Sequence, residues 1–173
     1  MDRTKKEVYR IVAMSVPQVS PTRQDSRLCS GASGGGMDTK VFKEFIKDFI
    51  AEASETLACL DQDFIELEKN PGDRERLESI YGGIHTIKGS AGFFAFNNLE
   101  GVAHAGEDLL QSLMEGKVEI TSAVISGLLA MVDAIRTMLN LADEDENDGD
   151  NSYAGLKKVL VALQRGETPP IDK

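Results

Sequence analysis

Two histidines, a lysine and a glutamate stand where they could do chemistry together. His85 and Lys88 lie in the run Tyr81-Gly-Gly-Ile-His-Thr-Ile-Lys-Gly-Ser-Ala-Gly-Phe-Phe94, and His104 and Glu107 follow about one helix later. A neutral imidazole has one nitrogen that carries a proton and one that carries a lone pair, and a carboxylate bonded to the first leaves the second as a nucleophile. If Glu107 accepts from Nδ1–H of His85, then Nε2 faces solvent, and Lys88 offsets the charge of whatever anion His85 acquires.

The elements that must position this set are read from apolar spacing. Leu77, Ile80, Ile84, Ile87, Ala91 and Phe94 step by three and four, the period of a helix packed on one side. His85 falls one residue after that stripe. It shares a flanking ridge with Tyr81, Lys88 and Gly92, and Gly89 and Gly92 clear space around it, so Tyr81, Gly89 and Gly92 are candidate partner-docking residues. Leu99, Val102, Gly106, Leu109 and Leu113 mark the next core stripe, flanked by Glu100, His104, Glu107 and Gln111. The turn between them, Asn97-Asn98-Leu99-Glu100, has the form of a capping box with Asn97 as N-cap. Helices joined so closely are antiparallel neighbours, which brings Glu107 or His104 within reach of His85. Gly82 and Gly83 sit inside the first pattern, each costing about 1 kcal/mol relative to Ala, which an ordinary structural helix has little reason to carry.

These residues resemble the histidine phosphotransfer (HPt) domain of the type that begins CheA-type chemotaxis histidine kinases. The resemblance runs from Met37 to about Arg165 and rests on H-x-x-K-G at His85, Lys88 and Gly89, combined with A-H-x-x-E at His104 and Glu107. It implies that His85 is the phosphoacceptor, with Lys88, His104 and Glu107 around it. The resemblance further implies that a separate ATP-dependent kinase domain would phosphorylate Nε2, and that an Asp of a response regulator receiver domain would take the phosphoryl group. The chain departs from the family at Gly82-Gly83, where a larger side chain is common, and at Ala95, where Gly is common.

Composition bounds the alternatives. The 173 residues carry 28% charged and 6% aromatic side chains, as expected of one helical domain. Charge is uneven: residues 1–36 carry +3 and residues 37–173 carry −13, a poor balance for nucleic acid, which is bound through Lys and Arg. Cys29 and Cys59 read as reduced thiols, and neither a secretory signal nor an apolar run of about 18 residues is evident, so a cytoplasmic protein without a membrane span is expected. No phosphate-binding G-x-x-x-x-G-K-[ST] loop is present, so the chain is read as a carrier without a cofactor of its own, unless it is a fragment of a larger kinase. Two rivals are an unmodified interaction bundle and, less favoured, a metal-binding bundle using His85, His104, Glu100 and Glu107. The second lacks the paired Glu-x-x-His spacing of di-iron bundles, so no metal site is assigned.

The expected fold is all-α, an up-down four-helix bundle with an additional C-terminal fifth helix, in a domain spanning 37–166. Residues 1–36, rich in Ser, Pro and Gly, are expected to have no stable structure of their own, as a tail, a linker or an over-called start, the last being preferred. Phe42, Phe45, Phe49, Ala53, Leu57, Leu60, Phe64 and Leu67 mark the first helix, closed by Asn70-Pro71-Gly72, and Asp73 caps the second, which runs to about Phe94. The third spans Leu99 to about Glu115. The fourth starts at Thr121 or Ser122 with Val124, Leu128, Met131 or Val132, Ile135 and Met138 or Leu139 inward. Asp143 to Asp150 reads as a solvated acidic loop, the fifth helix runs from Ser152 to about Arg165, and 167–173 begin a linker or tail.

Overall fold

The computed structural model describes residues 39–145, 147–149 and 153–167; the expectations for residues 1–36 and for 168–173 lie outside the described residues, as does Cys29. Five helices follow in chain order: α1 Thr39–Lys69, α2 Arg74–Phe93, α3 Asn97–Met114, α4 Ser122–Asp145 and α5 Ala154–Gln164. The first four close a ring in which α1 packs on α2 and α4, and α3 packs on α2 and α4. The fifth lies against α3 and α4. This is the expected up-down bundle with a fifth helix laid on one side.

The stripes read from the sequence form its core. Leu77, Ile80, Ile84, Ile87 and Ala91 of α2 are buried against Leu99, Val102, Leu109 and Leu113 of α3 and the inward faces of α1 and α4. Phe45 is a correction: it is 49% exposed, and Ile46, at 4%, takes its place. The reason is angular. Phe42, Ile46, Phe49 and Ala53 keep one face turned inward, whereas the residue before Ile46 is rotated about 100° toward solvent. By length and composition alone α4 could cross a membrane, but most of that stretch is buried inside this bundle, as in a core helix.

Helix ends show where local chemistry succeeds. Asp73 caps α2 as expected, accepting from the Arg76 backbone N–H at 3.1 Å, and Thr121 Oγ1 accepts from Val124 N–H at 3.3 Å at the head of α4. The capping box expected at Asn97 is absent: Asn97 is already helical, Phe96 holds the N-cap position, and no side chain of that turn caps it. Asp148 does so from the connection between α4 and α5. Its Oδ2 accepts from Asn98 N–H at 2.6 Å and Leu99 N–H at 2.9 Å, and Asn98 Nδ2 donates to the Gly149 carbonyl at 2.6 Å. The acidic run is therefore not wholly a solvated loop, since α4 extends to Asp145 and Asp148 is 6% exposed.

Two features fix how α3 meets its neighbours. Gly106 faces Met131 of α4 so closely that a Cβ there would lie 1.8 Å from the Met131 sulfur. The α2–α3 turn is closed by Ala95, whose φ of 59° lies in the left-handed region that L-residues other than glycine rarely occupy. Across the bundle, buried Asp63 of α1 accepts from Arg76 at 2.9 Å and Ser79 at 2.7 Å on α2, so no carboxylate oxygen there is left unpaired.

Candidate functional site

The antiparallel register of α2 and α3 builds the site. His85 lies opposite Glu107 and Gly92 lies opposite Glu100, so seven residues forward on one helix correspond to seven back on the other. Glu107 is the one member of its polar stripe that turns inward, with a side chain 9% exposed, because its helix approaches α4 through Gly106 and presents the next residue to α2.

Nδ1 of His85 is 2.9 Å from Oε1 of Glu107, while the His85 side chain is 59% exposed. Lys88, one turn further along α2, pairs its Nζ with Oε2 of Glu107 at 2.5 Å. Tyr81, one turn back, brings its hydroxyl to 3.3 Å from Oε1. Three groups from one ridge of α2 thus converge on one carboxylate of α3, His85 and Tyr81 on Oε1 and Lys88 as the charged partner of the buried Oε2. Burial pushes the Glu107 carboxyl up, but hydrogen bonds from Lys88 and His85 and the positive charge of Lys88 outweigh it and hold the group below the ordinary glutamate range. An ionised carboxylate only accepts, so Nδ1 carries the proton and Nε2 carries the lone pair. Halfway along α2 and outside the core, that nitrogen is open to an approaching group.

The other expected site residues separate. His104 does not join the carboxylate: it is exposed, and its recorded partner is Asp108, with Nε2 3.8 Å from Oδ1. Three residues before Glu107 means a rotation of about 60° on the helix, enough to turn a side chain off the shared face. Gly89 is exposed and has open space where a Cβ would be, as has Gly82. Gly92 differs from expectation, because the Glu100 carboxyl already lies within 3.3 Å of where its Cβ would stand. Gly83 has a packing reason: a Cβ there would come within 3.1 Å of Leu60 and Thr56 on α1. Tyr81, expected at the docking surface, belongs to the carboxylate cluster, a role that its spacing four residues before His85 allows but its residue type alone does not announce. Among the described residues, no three His, Cys, Asp or Glu side chains are grouped to hold a metal ion.

Comparison with known proteins adds the family. Residues 44–138 match the profile of the Hpt domain. Sensor histidine kinase CheAY of Helicobacter pylori is 37% identical over 125 residues, 70% of this chain and 16% of its own length, and chemotaxis protein CheA of Treponema pallidum is 33% identical over 127 residues, 73% and 15% respectively. The chain thus spans about a sixth of the length of these curated relatives. Among solved structures, the histidine phosphotransfer domain of CheA superposes with a TM-score of 0.63 at 27% identity, covering 69% of this chain and 91% of that one. The phosphorylated P1 domain of CheA3 from R. sphaeroides, solved in complex with CheY6, shares the fold with a TM-score of 0.66 at 18% identity, covering 70% and 96%. With its profile match, its bundle and an exposed histidine held by a buried carboxylate, the chain belongs to the Hpt domain family.

Proposed function

We propose that this chain carries a phosphoryl group on His85 in a two-component relay of the chemotaxis kind, in the cytoplasm. The observation that carries the reading is the 2.9 Å contact between Nδ1 of the half-exposed His85 and the buried carboxylate of Glu107. The Nε2 lone pair attacks the γ-phosphorus of ATP bound to a separate histidine kinase catalytic domain. A P–N bond forms as the bond from phosphorus to the β,γ-bridging oxygen breaks, and ADP leaves with that electron pair. An Asp carboxylate oxygen of a response regulator receiver domain then attacks the same phosphorus, and the P–N electron pair returns to Nε2. Glu107 holds the Nδ1 proton through both transfers and stabilises the positive ring that exists while phosphorus is attached. Lys88 neutralises Glu107 in the resting site and supplies positive charge beside the phosphoryl oxygens.

The glycines support the same reading. Gly82 and Gly89 each disfavour the helix by about 1 kcal/mol relative to Ala, and the fold itself has no need of them, since both leave open space around α2. They lower the surface on either side of His85 for two successive partners. The CheA relatives point to the kinase as one partner, and the CheY6 complex of a structural neighbour points to a receiver as the other.

The test is incubation of the chain and its His85→Gln variant with a CheA-type kinase core and labelled ATP. Label that is acid-labile, base-stable and absent from the variant establishes transfer to His85. Equal labelling of both proteins, or none with several competent kinase cores, refutes it and favours an interaction bundle that is never modified.

A further inference from the structure

Tyr81 makes two contacts that the relay chemistry has not used. Its ring lies nearly parallel to the imidazole of His85, 16° apart in plane with centroids 6.0 Å apart. Its hydroxyl reaches Oε1 of Glu107 at 3.3 Å, the same oxygen that receives Nδ1–H at 2.9 Å. Tyr81, His85 and Lys88 step by four and three along one ridge of α2, so the carboxylate is approached from both directions along that helix, by the phenol on one side and the ammonium on the other.

The terminal torsion of a glutamate is broad, with no strong preference to hold the carboxylate plane in one setting. Lys88 fixes Oε2 as a point charge on a flexible stem, which tethers the group without setting its plane. A second, separate donor on Oε1 is what resists rotation. Oε1 has two lone pairs, and Tyr81 fills the one that His85 leaves. The geometry points to Tyr81 as a positioning residue: its hydroxyl locks the Glu107 carboxylate in the orientation that keeps the proton on Nδ1 of His85 and the lone pair on Nε2. This inference rests on reading His85 as the phosphoacceptor, but it concerns the resting ring and is measurable without any kinase.

Histidine free in water prefers the opposite tautomer, with the proton on Nε2, so a loosened carboxylate returns the proton to the nitrogen that must attack. The experiment is ¹⁵N NMR of the two His85 ring nitrogens in the intact chain, at a pH about two units above the ordinary histidine value of ~6.5. Wild type is compared with Tyr81→Phe, which keeps the ring and loses the hydroxyl, and with Glu107→Gln as the reference for a site without its carboxylate. Losing one hydrogen bond's net worth shifts the ratio of Nδ1–H to Nε2–H by about threefold to tenfold toward Nε2–H. Tyr81→Leu, which also removes the ring, separates the contacts: if hydroxyl loss is decisive, its tautomer ratio matches that of Tyr81→Phe. A Tyr81→Phe spectrum indistinguishable from wild type overturns the proposal, whatever the kinetics. Normal tautomer behaviour in a wild-type chain that no kinase labels would refute the phosphoacceptor reading alone.

Discussion

Replacing Asp148 by Ala removes the cap of a helix from 50 residues away in the sequence. The carboxylate is 6% exposed and one of its oxygens takes two backbone donors of the first turn of α3, at 2.6 and 2.9 Å. Removal of an N-cap acceptor costs about 1 to 2 kcal/mol. Leu99 is completely buried, so its N–H has no ready access to water in compensation, and an orphaned buried donor adds about 1 kcal/mol or more. The charge also faces the positive end of the α3 dipole. Together these predict a loss of roughly 2 to 3 kcal/mol, which for a domain of this size lowers Tm by about 6 to 12 °C. The assay is urea unfolding followed by circular dichroism, with Asp148→Asn as companion. Asn keeps an acceptor oxygen but not the charge, so it should fall between wild type and Ala. Glu107 lies about 13 Å further along α3, so phosphorylation at a temperature well below the transition should be unchanged. A loss under about 0.5 kcal/mol for Asp148→Ala refutes the assignment of the cap, because even a solvent-exposed N-cap contributes that much.

Other outcomes follow from the site and its supports. Glu107→Ala should slow phosphorylation of His85 by about tenfold to a hundredfold, the worth of a hydrogen bond to a charged group, while far-UV dichroism stays that of the wild-type bundle; unchanged kinetics would remove Glu107 from its assigned role. The Glu107 carboxyl titrates below its unfolded value, so the stability it contributes is complete above the ordinary glutamate pKa of ~4.3 and is lost as pH falls through the lower folded value. Acid unfolding should therefore be less steep over that window in Glu107→Gln than in wild type, and equal slopes would contradict the sign. Gly106→Ala should destabilise by about 1 to 3 kcal/mol, because the new methyl meets the buried Met131 sulfur at 1.8 Å, and chemical denaturation measures it. Ala95→Gly should stabilise by about 0.5 to 1 kcal/mol, the strain released at φ 59° exceeding the entropy that glycine adds to the unfolded chain; a lower Tm for this variant would show that Ala95 is unstrained.

The core helices were legible because each buries one stripe, and spacing of three and four survives translation from sequence to structure with few ambiguities. Phe45 shows where that fails: two large apolar residues stand side by side at 45 and 46, and only the continuation of the stripe through Phe49 and Ala53 selects Ile46. The pairing of His85 with Glu107 was legible from a short turn and matching flanks. His104 was harder to place, since a residue three positions from the contact can belong to the same polar stripe and still look away from it. Asp148 was illegible for a different reason: a local cap is a pattern of neighbours, whereas this one joins the connection after α4 to the head of α3. Charge density in Asp143 to Asp150 suggests solvent, and nothing local marks Asp148 as a carboxylate that turns inward.

Burial divides the labour within the site. Side-chain exposure falls from 59% at His85 to 24% at Lys88 and 9% at Glu107, so the reacting ring is outermost and the group that orients it is innermost. The order has an energetic reason. A buried carboxylate without partners is strongly disfavoured, and here Lys88 and His85 oppose that penalty before any phosphoryl group arrives. The His85 ring then needs no wall on its outer side to be held in one tautomer, because its orientation is set from beneath by a largely buried group. In the proposed relay, a carrier that meets a kinase and then a receiver would gain from this arrangement, since His85 is 59% exposed and its Glu107 contact leaves Nε2 open. The same logic explains why the chemistry lacks a general base of its own. The attacking nitrogen has no proton to lose, and the one proton on the ring is already committed to Glu107. Transfer in either direction thus asks the bundle only to keep that proton where it is, and a rigid two-helix contact does this with few parts.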